Sequence, residues 1–391
     1  MLAPATSAAV AARRVAAAKS SHANAPGNRP GHLLSRRRDH LRTVVLVSVG
    51  LSITFCVPTR SAPTDPVAEW QRTIASAVTT SVAPTQLAPP LREWSPGYWW
   101  SHYSLANTPR HRQCFGDATT LAPLPTACGS FGDATSENRV MLVGDSRAYQ
   151  WLPALDYWGR TRHWRVSALT KANCRPWSNT PYFSGSPGQR TGAPYPSCAS
   201  FNRAVLTAMS SQRPSYVFMT AMRGRTGTTA FETNQQITAG MKAFARLVQS
   251  RGATPVFVGP NPEWFASSGV PGDVFSPDCV AHHLTSLTHC VAVGATRNGR
   301  SGALEAGYFN AMVDAARSTA SAYLSTPDLF CRRRVAVAAT TPNGQAYDEC
   351  PMLVRGTLVY LDRQHITREF ALLSAPAFSA LVDRVAPPPP G

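Results

Sequence analysis

Charge is scarce in this chain, and acidic charge scarcer still. Only 15% of its 391 residues are Asp, Glu, Lys or Arg, with 21 acids against 38 bases, while hydrophobic residues reach 43%. Such a composition can close a packed core and excludes wholesale disorder. The length suits one large domain with accessory segments, or two modest ones. Internal repeats are absent. So are the CxxC runs and nearby His partners of a zinc site, and neither a metal nor a cofactor is expected. A dense basic stripe is missing too. Of the net charge of +17, residues 1–60 supply +8 (nine cations against Asp39), and the other +9 is spread thinly. Nucleic-acid binding needs cations clustered along phosphates, so no nucleic-acid partner is expected. An anionic envelope surface suits the charge better.

Long hydrophobic runs are nearly absent; the exception is Thr43–Val57, uncharged and closed by Pro58. It falls short of the ~20 residues of a comfortable membrane span. Residues 1–42 are rich in Ala, Arg, Pro and Ser and read as a disordered basic cytoplasmic tail, suited to anionic lipid headgroups. Arg36, Arg37, Arg38 and Arg42 stand just before the apolar run, which keeps the N-terminus cytoplasmic and exports the chain beyond Pro58. Residues 43–58 therefore read as a single-pass signal-anchor, or as a signal core cleaved near Ser61-Ala62 to release a secreted protein. The long basic leader favours the anchor.

The cysteines point to the same compartment. Cys56 lies in the apolar run, and the other eight form neighbouring couples: Cys114 with Cys128, Cys174 with Cys198, Cys279 with Cys290, Cys331 with Cys350. An even set outside the membrane fits disulfides in an oxidising compartment. Sequence leaves their connectivity open, and nearest-neighbour pairing is the expectation.

Residues 59–110 read as a Pro/Ser/Thr-rich linker whose Trp94, Trp99 and Trp100 dock onto the domain, residues 111–385 as that domain, and 386–391 as a Pro-rich tail. Within the domain, strands are expected at 139–143, 164–169, 215–220, 254–259 and 357–361. Helices are expected at 147–158, 231–251, 303–322 and 367–385, with Gly252 stopping the second. This alternation predicts an α/β fold, a parallel doubly wound sheet in a three-layer α/β/α sandwich.

Sites in such sheets lie beyond the carboxyl ends of the strands. The first strand ends in Gly144-Asp145-Ser146, where Gly permits a sharp turn and Ser146 opens a helix. Its backbone N–H groups and dipole would be available to a developing oxyanion. The last strand ends in Asp362-Arg-Gln-His365, a spacing that lets the carboxylate orient the imidazole and the imidazole accept the serine proton. Either motif alone has a plainer reading, Ser146 as a helix N-cap and His365 as a surface loop residue. Their conjunction, one after the first strand and one after the last, makes Ser146, Asp362 and His365 the expected triad.

Val140-Met-Leu-Val-Gly-Asp-Ser146, Trp151-Leu-Pro-Ala-Leu155 and Leu169-Thr-Lys-Ala-Asn-Cys174 resemble the opening of the SGNH (GDSL-like) domain found at the C-terminus of acyltransferase-3 membrane proteins. Ser276-Pro-Asp-Cys279, the pair Cys331 and Cys350, and Tyr360–Thr367 resemble its later blocks. The resemblance implies a flavodoxin-like sheet, a Ser/Asp/His triad and O-acyl chemistry on cell-envelope carbohydrate: transfer of a short acyl group, often acetyl, or its removal. Two departures stand out. Arg147 follows the nucleophile where the family usually has His; it cannot act as a base but could bind an anionic substrate or face solvent. No Gly-x-Asn-Asp block supplies an oxyanion Asn. The matching segment reads Thr220-Ala-Met-Arg223-Gly224, making Arg223 or Gly224 the candidate substitutes, with Gly144, Asp145 and Arg147 beside them. Asn261 reads as a turn residue. The multi-span module that would carry acyl groups is not in this sequence, so a transferase would need a separate membrane acyltransferase or soluble acyl carrier as donor, and an esterase would use water. A catalytically silent module that binds glycan or an acyltransferase is the alternative.

Overall fold

A computed structural model describes residues 64–91, 114–117, 119–122, 128–177, 193–223, 232–262, 276–293, 301–334, 347–362 and 364–387. The chain divides into Met1–Arg60 and Ser61–Gly391. The expected tail 1–42, anchor 43–58, Cys56, and Trp94, Trp99 and Trp100 lie outside the described residues, as do Gly224 and residues 388–391. Among the described residues, no helix is long and apolar enough to cross a membrane.

The segment expected to be a tether is in part structured. Helix α1 (Pro66–Thr79) starts at Asp65, whose carboxylate accepts the Val67 N–H at 3.0 Å, and buries Val67, Trp70, Thr73, Ile74 and Val78. Their spacing puts them on one face of a helix, and the Trp70 indole donates to the Leu329 carbonyl at 2.9 Å.

From there the chain runs β1 (Phe115–Gly116), β2 (Phe131–Gly132), β3 (Arg139–Gly144), α2 (Ser146–Tyr149), α3 (Leu152–Arg162), β4 (Arg165–Lys171), α4 (Pro196–Gln212), β5 (Tyr216–Thr220), α5 (Asn234–Gln249) and β6 (Thr254–Val258). It continues through α6 (Ser276–His282), β7 (Ala292–Val293), α7 (Ser301–Ser318), β8 (Ala322–Leu324), β9 (Arg332–Arg334), β10 (Tyr347–Cys350), β11 (Leu353–Val354), β12 (Thr357–Leu358), α8 (Arg368–Leu373) and α9 (Ala375–Val385). The main sheet has the order β1-β4-β3-β5-β6-β8 with all neighbours parallel, and β2 adds antiparallel to β4. Taking β3, β4, β5, β6 and β8 in turn gives the flavodoxin-like order 2-1-3-4-5.

Alternation along β3 builds the two outer layers. Val140 and Leu142 face one core with residues of α1, α3, α8 and α9, while Met141 and Val143 face a second core with residues of α4, α5 and α7. A central parallel strand covered on both faces has to be apolar throughout. This is the expected three-layer sandwich. All four nearest-neighbour cysteine couples form disulfides.

Some expected elements differ. Residues 357–361 are not the last strand of the parallel sheet: β12 pairs antiparallel with β11 in a small hairpin. The run is apolar because Leu358, Val359, Tyr360 and Leu361 are buried in the first core. The last parallel strand is instead β8, three residues long and too short to show a period, and the helix expected at 303–322 runs into it. Two expected helices are each split, 147–158 before Pro153 and 367–385 before Pro376. Proline has no N–H to continue the ladder but suits a first helical turn. Helix α4 was not expected, because Ser, Thr, Asn and Arg dilute its buried face of Cys198, Phe201, Val205, Ala208 and Met209.

Candidate active site

The strand order reverses between β3 and β5, and the candidate site lies there, at the carboxyl ends of β3, β5 and the neighbouring β6. Strand β3 ends at Gly144, with φ of +149°. Asp145 behind it is fully buried. One carboxylate oxygen accepts the Arg147 N–H at 2.8 Å and the other accepts the Met222 N–H at 2.9 Å, which ties the turn that carries Ser146 to the exit of β5. Burial pushes this carboxyl up, against the pull of those two N–H groups and of Arg147. Asp145 therefore braces the turn; its oxygens are engaged as acceptors and supply no oxyanion donor. Helix α2 is four residues long, so the dipole expected behind Ser146 is that of a single turn.

The Asp-x-x-His turn follows β12. One Asp362 oxygen accepts the N–H groups of Gln364 and His365, at 2.7 and 2.8 Å, and the other lies 2.7 Å from His365 Nδ1. The Leu361 N–H donates to the His365 carbonyl at 2.8 Å and closes the turn. His365 Nε2 lies 2.8 Å from Ser146 Oγ. Burial alone would raise the Asp362 carboxyl, but the neighbouring His365 and the hydrogen bonds it accepts outweigh burial and hold it at about 2. Serine, imidazole and carboxylate thus form a continuous hydrogen-bonded chain.

Arg147 neither faces solvent nor stands ready for an anion. Its side chain is buried, with Nη1 donating to Asn261 Oδ1 at 3.0 Å and Nη2 to Gln364 Oε1 at 3.0 Å. Asn261 is not a plain turn residue either. It is 1% exposed, and its Oδ1 also accepts from Gln150 Nε2 at 2.7 Å while its Nδ2 donates to the Gln364 carbonyl at 2.7 Å. The loop carrying it is held by Thr326, whose hydroxyl donates to the Gly259 and Pro260 carbonyls, and by Tyr360, whose hydroxyl donates to the Pro262 carbonyl. Sequence reasoning missed Gln150, Asn261 and Gln364. Their available signal was position: one turn after the serine, just past a strand end, and inside the Asp-x-x-His spacing.

Arg223 sits at the exit of β5, but its Nη2 donates to the Glu232 carbonyl at 2.7 Å, and Arg175 reaches the Glu232 carboxylate at 3.5 Å. Burial lowers the Arg223 guanidinium and raises the Glu232 carboxyl, each opposed by the other's charge. Arg223 is thus engaged with the start of α5, and among the described contacts none joins it to the serine. Among the described residues, no group of three or more His, Cys, Asp and Glu side chains is arranged to hold a metal ion.

A family model described as "SGNH domain (fused to AT3 domains)" matches residues 113–380. Among solved structures, the periplasmic domain of a lipopolysaccharide acetyltransferase from Salmonella ser. Paratyphi A is similar over 74% of this chain and 94% of its own, at 16% identity and TM-score 0.47. A GDSL-like lipase from Bacteroides thetaiotaomicron is similar over 63% of this chain and 89% of its own, at 8% identity and TM-score 0.33. An α/β hydrolase from the Lake Arreo metagenome is similar over 63% and 95%, at 10% identity and TM-score 0.34. No curated protein shows significant similarity to the chain.

Proposed function

This chain belongs to the family of SGNH domains fused to AT3 domains, and on that premise we propose that it is a serine-dependent acyl esterase or O-acyltransferase with Ser146, His365 and Asp362 as its catalytic triad. The observation that carries the reading is the unbroken chain of 2.8 and 2.7 Å contacts from Ser146 Oγ through His365 to Asp362. Ser146 Oγ gives its proton to His365 Nε2 and attacks the acyl carbonyl, while Asp362 stabilises the imidazolium. The tetrahedral intermediate collapses, the ester C–O bond breaks, and the imidazolium returns its proton to the leaving alkoxide. Water, or a sugar hydroxyl, then loses a proton to His365 and attacks the acyl carbonyl; the bond to Ser146 Oγ breaks and the imidazolium returns the proton to Oγ, restoring the free serine.

The substrate class is O-acylated carbohydrate of the cell envelope, with acetyl the expected acyl group. Four disulfides support an oxidising compartment, and the Arg-flanked apolar run 43–58 supports a membrane-tethered domain outside the cytoplasm. As a transferase the protein would draw acyl groups from a separate membrane acyltransferase.

Hydrolysis of p-nitrophenyl acetate by the full chain, against a Ser146→Ala control, tests the reading. Equal rates, with envelope glycan still bound, would instead establish the silent binding module. Acyl release with and without a sugar acceptor separates esterase from transferase, and mass spectrometry of envelope glycans from cells with and without the protein identifies the sugar.

A further inference from the structure

The contact between Ser146 and His365 spans 219 residues of sequence. Asp362 cannot set it, because Asp362 and His365 share one turn and would move together. Something outside that turn has to hold it against the nucleophile. The residues on either side of His365 are both gripped. The Gln364 carbonyl accepts from Asn261 Nδ2 at 2.7 Å and its Oε1 from Arg147 Nη2 at 3.0 Å. The Ile366 N–H donates to Gln150 Oε1 at 3.0 Å. Arg147 and Gln150 follow the serine on its own helical turn, and both donate to Asn261 Oδ1.

We infer that Arg147, Gln150 and Asn261 form a clamp on Gln364 and Ile366 that sets the distance between His365 and Ser146, which makes them positioning residues. The clamp presupposes the serine-enzyme reading above. Its chemistry is specific. The Asn261 carboxamide accepts two hydrogen bonds on one side and donates one on the other, which a carboxylate or an alkyl side chain of similar size cannot do. The Arg147 guanidinium reaches two acceptors on different chain segments at once, which suits a planar fork better than a lysine ammonium. The arginine next to the nucleophile therefore has a use unrelated to proton transfer. It is also buried among its partners, so losing any one of them strands polar atoms in the core.

Two readouts test the clamp: kcat and KM for p-nitrophenyl acetate, and the rate at which a fluorophosphonate labels Ser146, which needs the Ser–His contact but no natural substrate. The variants, in the full chain, are Asn261→Asp, Gln364→Ala and Gln364→Glu. Gln364 is half-buried, and Gln364→Ala removes one acceptor only, so this variant is expected to fold even if Asn261→Asp does not. Gln364→Ala should lower kcat and labelling together by roughly 10- to 100-fold, the scale of an ångström of misplacement, with KM held within about twofold. Gln364→Glu keeps the acceptor for Arg147 and should recover most of both. Wild-type labelling rates in Gln364→Ala and Asn261→Asp would overturn the clamp, as would a Glu variant no better than Ala, or a raised KM at constant kcat. Wild-type labelling without ester turnover would overturn the esterase reading and leave the clamp to be judged on labelling; no Ser146 labelling in wild type would overturn both.

Discussion

Gly144 lies so close to Thr220 that a Cβ built on it would stand 1.9 Å from the Thr220 carbonyl oxygen, and 2.7 Å from the Ala148 side chain. Gly144 and Thr220 are register partners at the ends of β3 and β5, so neither strand can yield without spreading the sheet beneath the candidate site. With φ at +149°, a side chain there is strained as well as obstructed. Gly144→Ala should destabilise the protein by about 3 kcal/mol or more. Urea unfolding of the variant beside wild type checks this; an unchanged midpoint would show that the turn relaxes freely.

Asp362 carries two duties, one oxygen on the turn backbone and one on the imidazole. Asp362→Asn should keep the fold, yet present the wrong partner to His365 and lower kcat by about four orders of magnitude. Ser146→Ala and His365→Ala should each abolish most turnover, and the double variant should be no worse than either single one. Multiplicative losses in steady-state kinetics would mean that the residues do not act as a unit.

Lys171 offers a test by pH. It is fully buried at the end of β4, donates to the Asp117 carbonyl, and lies 5.0 Å from the centre of the Tyr195 ring. Burial lowers its ammonium from 10.5 to about 8, against the upward pull of Asp117. Between those two values the unfolded chain binds more protons than the folded one, so stability should rise with pH across that window. Below the folded value, the penalty of charging a buried amine is fully present. Lys171→Met should remove the rise. Thermal melts at pH 7, 8, 9 and 10 would reveal it, and parallel curves for the two proteins would contradict it.

The Cys174–Cys198 bridge joins the exit of β4 to α4 across 24 residues. A Cys174→Ser, Cys198→Ser double variant should lose about 3.5 kcal/mol, the chain-entropy value for a loop of this size. Denaturant midpoints under non-reducing conditions measure the loss. Adding reductant to wild type should lower its midpoint further, since three more bridges would open.

Much of the fold was readable because β3, β5 and β6 are nearly continuous apolar runs, as strands covered on both faces must be, while β4 interrupts its apolar residues with Ser167 and Thr170, whose hydroxyls donate to Gln212 Oε1 and the Cys114 carbonyl. The same signal misled at Thr357–Leu361. An apolar run reports burial, and burial in a hairpin packed into the first core looks identical to burial in a parallel sheet. Strand β8 could not be seen because three residues carry no period. Asn261 was misread for a related reason. Gly259-Pro-Asn-Pro262 has turn composition, and composition does not reveal that Thr326 and Tyr360 pin the loop inward.

By itself the sequence determined the local chemistry: a glycine-permitted turn that presents Ser146 and a carboxylate three residues from an imidazole. These depend on backbone sterics and hydrogen bonds within a few residues, which residue order specifies directly. Only the tertiary structure decided that Ser146 and His365 meet at 2.8 Å, that Arg147 turns inward, and that Asn261 joins them. Those contacts come from the strand order and from burial, which drives most polar atoms in the core to take a partner from whatever distant segment the packing brings near.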